Sequence, residues 1–159
     1  MFQLGTLAVN PQKGESMIES DLWQQLKKRL DLQLKRLHDA GIVQDFWYAK
    51  LSDRSRSGVP DFVTVGKGIT AWWEMKHADP KFTLPTLQLM EARKIQRAGG
   101  ICNFIIFDSS EPLDKSIFIV PARVMSLEMW RENASDEMSG FNYDALARYI
   151  REVHDERRP

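Results

Sequence analysis

Residues 57–77, Ser-Gly-Val-Pro-Asp-Phe-Val-Thr-Val-Gly-Lys-Gly-Ile-Thr-Ala-Trp-Trp-Glu-Met-Lys-His, decide the fold. Two apolar runs of strand character flank Gly66-Lys67-Gly68, so the stretch reads as a β-hairpin from about Asp61 to Val65 and from Thr70 to Lys76. Asp61, Glu74 and Lys76 sit in or beside these runs, where a strand that only had to pack has no use for them. Side chains two apart on a strand share a face. Glu74 and Lys76 therefore point one way with Trp72, and Trp73 and Met75 the other. Pairing Asp61 with Glu74 leaves Gly66 to Ile69 as a four-residue loop and unites the acids; a three-residue loop separates them unless a bulge intervenes. The sequence allows the first register without forcing it.

Outward from the hairpin, the pattern is that of one mixed α/β domain. The chain has 159 residues, 43% hydrophobic and 28% charged, enough to bury a real core. Ser16 to His38 reads as a helix stopped by Gly41, with Leu22, Trp23, Leu26, Leu30, Leu34 and Leu37 on an arc of about 120°. Phe46 to Leu51 is a strand candidate, and Ser52 to Gly58 a polar loop. After Pro80, Pro85 suits the first turn of a second helix that ends at Gly99-Gly100. Ile101 to Phe107 reads as a buried strand and Ile117 to Val120 as a shorter one. From Ala122 onward two weaker helical segments are expected, split around Ser139-Gly140, the second from Tyr143 to His154. Residues 1–14 read as an irregular arm, 15–120 as the core domain, and 121–159 as a helical extension packed on the same domain.

Composition narrows the chemistry. Twenty-two basic and 22 acidic side chains cancel, so any nucleic-acid site must come from local clusters such as Lys27-Lys28-Arg29, Arg54 with Arg56, or Arg93, Lys94 and Arg97. Each also reads as a solvated face. Cys102 is the only cysteine, which excludes an intrachain disulfide and a cysteine-rich zinc site. No segment approaches 18 uninterrupted apolar residues, so a soluble, reducing compartment and no membrane partner are expected.

Two carboxylates at a strand junction repel unless a cation lies between them, and magnesium favours such oxygen ligands together with water and phosphate oxygens. A lysine beside the ion can hold the attacking water and offset charge developing on a phosphate. Taken alone, Glu74 and Lys76 also read as a surface ion pair and Asp61 as a turn residue after Pro60. Glu19 falls inside the apolar arc of the first helix, where an acid is costly unless paired or bound to metal. Ser16-x-x-Glu19 equally matches a capping box, and Glu15 is a competing acid one turn earlier. Gln88 shares the inner arc of the second helix with Leu84, Ala92 and Ile95, suited to orienting water or phosphate or to bonding backbone. His77 points away from Lys76 and reads as structural.

Pro60-Asp61 followed by Glu74-x-Lys76 resembles the PD-(D/E)XK nuclease superfamily. The longer order is Glu19-Ser20-Asp21, Ser57-Gly58-Val59-Pro60-Asp61, Glu74-Met75-Lys76-His77, then Gln88 ahead of Ala98-Gly99-Gly100. It resembles the VRR-NUC branch, including its stand-alone phage and bacterial members, over about residues 15–107. The resemblance implies a restriction-endonuclease-like core, a central mixed sheet flanked by helices in αβββαβ order, here with extra C-terminal helices. It implies a magnesium- or manganese-dependent DNA endonuclease, structure-selective for branched or four-way junction DNA and homodimeric, without a nucleotide cofactor. The alternatives are a nuclease for linear or single-stranded ends and a non-cleaving DNA-binding protein of the same fold. By position, Asp61 and Glu74 are implied metal ligands, with the Met75 backbone carbonyl and Glu19 as further candidates. Lys76 is implied to position water and Gln88 to support the site, in a bacterial or phage-infected cytoplasm. Arg54, Arg56 and Lys81, close in sequence to the site, are expected to contact DNA backbone.

Overall fold

The computed structural model describes residues 11–42, 45–51, 58–78, 82–111 and 113–155, with side chains from residue 19 onward. The hairpin forms as the turn chemistry dictates. Strand β2 (Phe62–Gly66) runs antiparallel to β3 (Ile69–Ala78), and Phe62 pairs with Trp73, Val65 with Thr70, and Gly66 with Ile69. Extending that register sets Asp61 opposite Glu74, as the acid-uniting alternative requires. The turn is tighter than the expected four-residue loop, because the ladder continues through Gly66 and Ile69 and leaves only Lys67-Gly68 to turn the chain. Both turn residues take positive φ, 51° and 77°, the backbone twist that matches two right-handed twisted strands. Lys67 is tied down by an ion pair with Asp155. Gly68→Ala should cost about 1–2 kcal/mol, because a Cβ strains at φ 77° even in open space; a chemical-denaturation midpoint lowered accordingly is the check.

Around the hairpin the sheet has six strands in the order β1 (Phe46–Lys50), β2, β3, β4 (Ile101–Asp108), β5 (Ser116–Pro121) and β6 (Asp136–Ser139). Only β3 and β4 are parallel, joined through helix α2 (Thr86–Arg97); every other neighbouring pair is antiparallel. Mixed α/β architecture with helices on both faces is therefore the fold. Odd-numbered residues of β3 and β4 (Ala71, Trp73, Met75, Ile105, Phe107) join a core with helix α1 (Pro11–Asp39) and helix α3 (Tyr143–Glu152). On the other face Ala78, Cys102, Phe104 and Ile106 pack with Leu84 and Ala92. Leu22, Trp23, Leu26 and Leu30 are buried, as their arc on the helical wheel predicts, and Leu34 and Leu37 are half-buried. Beneath the hairpin, Thr64 Oγ1 accepts a hydrogen bond from Trp73 Nε1 at 2.9 Å and meets His154 Nε2 at 2.8 Å. Thr64 and His154 are both fully enclosed.

Three expectations need correction. Helix α1 begins at Pro11, so residues 11–14 are helical rather than part of an irregular arm, and residues 1–10 lie outside the described residues. Proline tolerates a first turn because its missing N–H has no partner there in any case. Pro85 precedes α2 as its N-cap, with extended ψ of 133°, instead of standing inside its first turn. The first of the two helical segments expected after Ala122 is instead a single 3-10 turn (Ala122–Val124), a turn region and strand β6. Pro121 starts that turn, and Asp136 to Ser139 gain more from the hydrogen bonds of the β5 edge than from an isolated short helix. The second segment is helical as expected, from Tyr143, with Asn142 Oδ1 accepting from the Ala145 N–H at 3.0 Å.

Candidate active site

The site residues come from the open end of the hairpin, where the start of β2 faces the second half of β3. Gly58 enters at φ 86°, and a Cβ there would come within 3.0 Å of the Leu87 carbonyl on α2. The glycine before Val59-Pro60-Asp61 is thus needed both for its backbone conformation and for close approach to α2. Pro60 is buried behind it. The Asp61 carbonyl accepts from Leu51 N–H at 2.8 Å, tying the segment to the end of β1. Its carboxylate reaches across to β3, where Oδ2 accepts from Met75 N–H at 2.6 Å.

Glu74 and Lys76 leave the same face of β3 and are nearly enclosed, 3% and 8% exposed. Lys76 Nζ lies 3.3 Å from Glu74 Oε1 and 4.0 Å from Glu19 Oε1 on α1. One ammonium group thus stands between two carboxylates from different elements. Ser16 lies inside α1, so Ser16-x-x-Glu19 does not start the helix, and the capping-box explanation of Glu19 falls away. The arrangement is electrostatically unbalanced. Burial pushes the Glu74 carboxyl up, Asp61 adds to the push, and even with Lys76 beside it the group reaches about 8. Burial also raises Asp61, and the Met75 N–H, Lys76 and Lys50 only partly oppose it. Both acids are held in a place that water alone does not make comfortable for negative charge.

A cleft of about 250 Å³ opens onto this cluster, lined by Glu19, Ser20, Trp23, Lys50, Asp61 and Met75. Of the expected site residues, Asp61, Glu74, Lys76 and Glu19 come together here, and the Met75 backbone joins them. Gln88 lies on α2 with its Oε1 buried and without a hydrogen-bond partner among the described residues. Arg54, Arg56 and Lys81 lie outside the described residues. His77 turns away as expected and meets Ser109 Oγ at 2.7 Å. Trp72 is half-buried on the α2 side of the sheet. Lys50 was missed by sequence reasoning. It lines the cleft and acts on Asp61, but its proximity follows from Lys50 pairing with Phe62, a register between separate strands that no local spacing reveals.

Whether the donor set suits a divalent cation is a question of charge and number. Among the described residues no group of three His, Cys, Asp or Glu side chains forms a ready-made cage. Two carboxyl groups with raised proton affinity, Glu74 enclosed and Asp61 part-buried at the cleft, suit instead an ion that takes one or two carboxylates and keeps water and substrate oxygens. The residues fit such an ion.

No family model matches the chain, and no curated protein matches it. Among solved structures, it is similar to a VRR_NUC domain, 22% identical, with 55% of this chain and 82% of that chain covered and a TM-score of 0.40. It is also similar to Hjc, a Holliday junction resolvase of the archaeal hyperthermophile Archaeoglobus fulgidus. There the identity is 12%, the coverage 76% of this chain and 98% of that chain, and the TM-score again 0.40. Both likenesses are distant, and the functional reading rests on the site residues. Among the described residues no helix is long and apolar enough to cross a membrane.

Proposed function

We propose that the chain is a metal-dependent endonuclease that hydrolyses phosphodiester bonds in DNA. The observation that carries this reading is the cluster of Asp61, which lines the cleft, with the enclosed Glu74 and Lys76 behind it. Asp61 and Glu74 would hold a magnesium or manganese ion, with the Met75 carbonyl and Glu19 as further oxygen donors. That ion, when bound, supplies Lewis acidity toward the phosphate and the leaving 3′-oxygen. Lys76 does the remaining work on this side of the bond. Its ammonium, 3.3 Å from Glu74 Oε1, would orient the attacking water and offset the negative charge that grows on the phosphoryl oxygens. Glu74 keeps Lys76 in place, and the Met75 N–H fixes the Asp61 carboxylate before substrate arrives. Cleavage by this route leaves a 5′-phosphate.

A non-cleaving DNA-binding protein has no use for two acids kept at such electrostatic cost, so the enzyme reading is preferred. Preference for branched DNA and action as a homodimer in the cytoplasm belong to the same proposal and rest on the motif order from Glu19 to Gln88. The test is incubation of the purified protein, in magnesium, with matched linear, flapped and four-way DNA of one sequence. Faster cutting of the branched substrates is the expected result. Equal cutting of all three, or cutting of single-stranded ends first, would replace branch selectivity with the end-processing alternative; no cutting of any would remove the enzyme.

A further inference from the structure

A second cavity, about 500 Å³, lies at the C-terminal end of α2 and is lined by Arg93, Gln96, Arg97, Gly99, Gly100 and Arg123. No carboxylate is among these residues. Several other cations of the fold are compensated, Lys27 by Asp31, Lys35 by Asp39, Lys94 by Glu91 and Arg131 by Asp108. Among the described residues Arg93, Arg97 and Arg123 make no ion pair. The cavity is built rather than incidental. Arg93 is half-buried, and its Nη2 donates to the Met125 carbonyl at 2.8 Å. Gln96 Oε1 accepts from the Arg123 backbone N–H at 2.5 Å, locking the 3-10 turn onto α2. In a chain of zero net charge, three arginines from two elements line one cavity, where their like charges repel. An anion with several oxygens relieves that repulsion, and guanidinium forks match phosphate.

Its position relates it to the site. Gly100 precedes Ile101, which pairs with Ala71, three residues before Glu74 on β3. At about 3.3 Å per residue the cavity floor lies roughly 10–13 Å from Glu74 along the strand, a span comparable to the ~12 Å width of the DNA major groove.

We propose that this arginine cavity is a phosphate-binding site that grips the backbone of the substrate DNA away from the bond being cut. The assignment to DNA rests on the function proposed above. The chemistry recognised, a phosphate oxyanion, is shared by free phosphate, so the test separates the two.

Arg97→Gln/Arg123→Gln is the informative variant, since both side chains are exposed and neither makes a hydrogen bond among the described residues. Arg36→Gln/Arg148→Gln removes the same charge from a separate cleft between α1 and α3 and serves as the control. Duplex affinity is measured in chelator by fluorescence anisotropy over a salt series, with thermal melting to confirm folding. The first variant should flatten the slope of log K against log salt by roughly one to two units and weaken low-salt binding about tenfold or more, while the control keeps the wild-type slope. An unchanged slope, or equal flattening in the control, would overturn the assignment. Titration with inorganic phosphate forms the second arm: binding of phosphate that the variant loses, without any change in DNA slope, would make the cavity a free-phosphate site and also overturn it. Loss of cleavage on replacing Asp61 in the same preparations keeps the two questions apart. If Asp61→Ala removes cutting while the arginine variant binds as wild type, the nuclease reading stands and the arginine site falls. A wild-type protein that neither binds nor cuts DNA removes both.

Discussion

Lys76→Ala is expected to lower DNA cleavage by roughly 10²–10³-fold or more, the usual consequence of removing a group that acts on charge developing in the transition state. Asp61→Ala and Glu74→Ala should do the same by removing oxygen ligands, and wild-type cleavage should vanish in chelator and return with magnesium or manganese. Calcium should support binding with little turnover, because its coordination is larger and looser. The fold should survive the lysine change. Losing the ammonium at 3.3 Å leaves Glu74 without its closest cation. With its proton affinity already raised to about 8, however, the group can remain neutral near pH 7 instead of standing as a bare buried charge. Single-turnover cleavage rates, with circular dichroism on the same samples, are the measurement. Lys76→Ala cutting at the wild-type rate would show that the assigned site is not where the chemistry happens.

The second large effect is on stability. Glu74 has a folded-state value of about 8 against an ordinary 4.5. Between those limits the native protein keeps a proton that the unfolded chain has lost, so metal-free stability must fall as pH rises through that window and level off above it. Integrated over the window the loss is on the order of 4–5 kcal/mol, and the raised Asp61 carboxyl works in the same direction. Glu74→Gln removes the larger share of this dependence and should be more stable than wild type at pH 8 in chelator. Urea denaturation at pH 5, 6.5 and 8 measures it. A divalent cation should reverse the trend in wild type at pH 8 and have much less effect on Glu74→Gln, a readout that does not depend on cleavage. Stability that rises from pH 5 to 8 in chelator would show that burial does not dominate at Glu74.

Much of the site was legible because its logic is local. Period-two alternation put Glu74 and Lys76 on one face, and the glycine-bounded turn allowed the register that faces Asp61 with Glu74. Helical periodicity placed Glu19 on the buried arc and marked Leu22, Trp23, Leu26 and Leu30 as core. Features that depend on distant partners were not legible. Strand β6 has only four residues, of which Asp136, Glu137 and Ser139 are exposed and polar, and it is a strand because β5 offers an edge. Lys50 reaches Asp61 through a pairing set by the β1–β2 register. The arginine cavity joins Arg123 to Arg93 and Arg97 across a turn, so the sequence displays two basic residues of one helix and hides the third. Arg54, Arg56 and Lys81, proposed as backbone contacts, fall outside the described residues.

The contact between Thr64 and His154 sets an order of events during synthesis. The hairpin that carries Asp61 and Glu74 is complete in the chain by residue 78, yet Thr64, hydrogen-bonded to Trp73 at its back, meets its last partner 90 residues later. Strand β4, which flanks β3 over its whole second half, also arrives after the hairpin. Until both have left the ribosome, the acids lie on a three-stranded sheet of β1, β2 and β3 that has no strand along the outer edge of β3 and lacks the contact between Thr64 and His154. A nascent chain therefore carries Glu19, Asp61, Glu74 and Lys76 before the contacts that complete their support exist, and the last of those contacts follows helix α3.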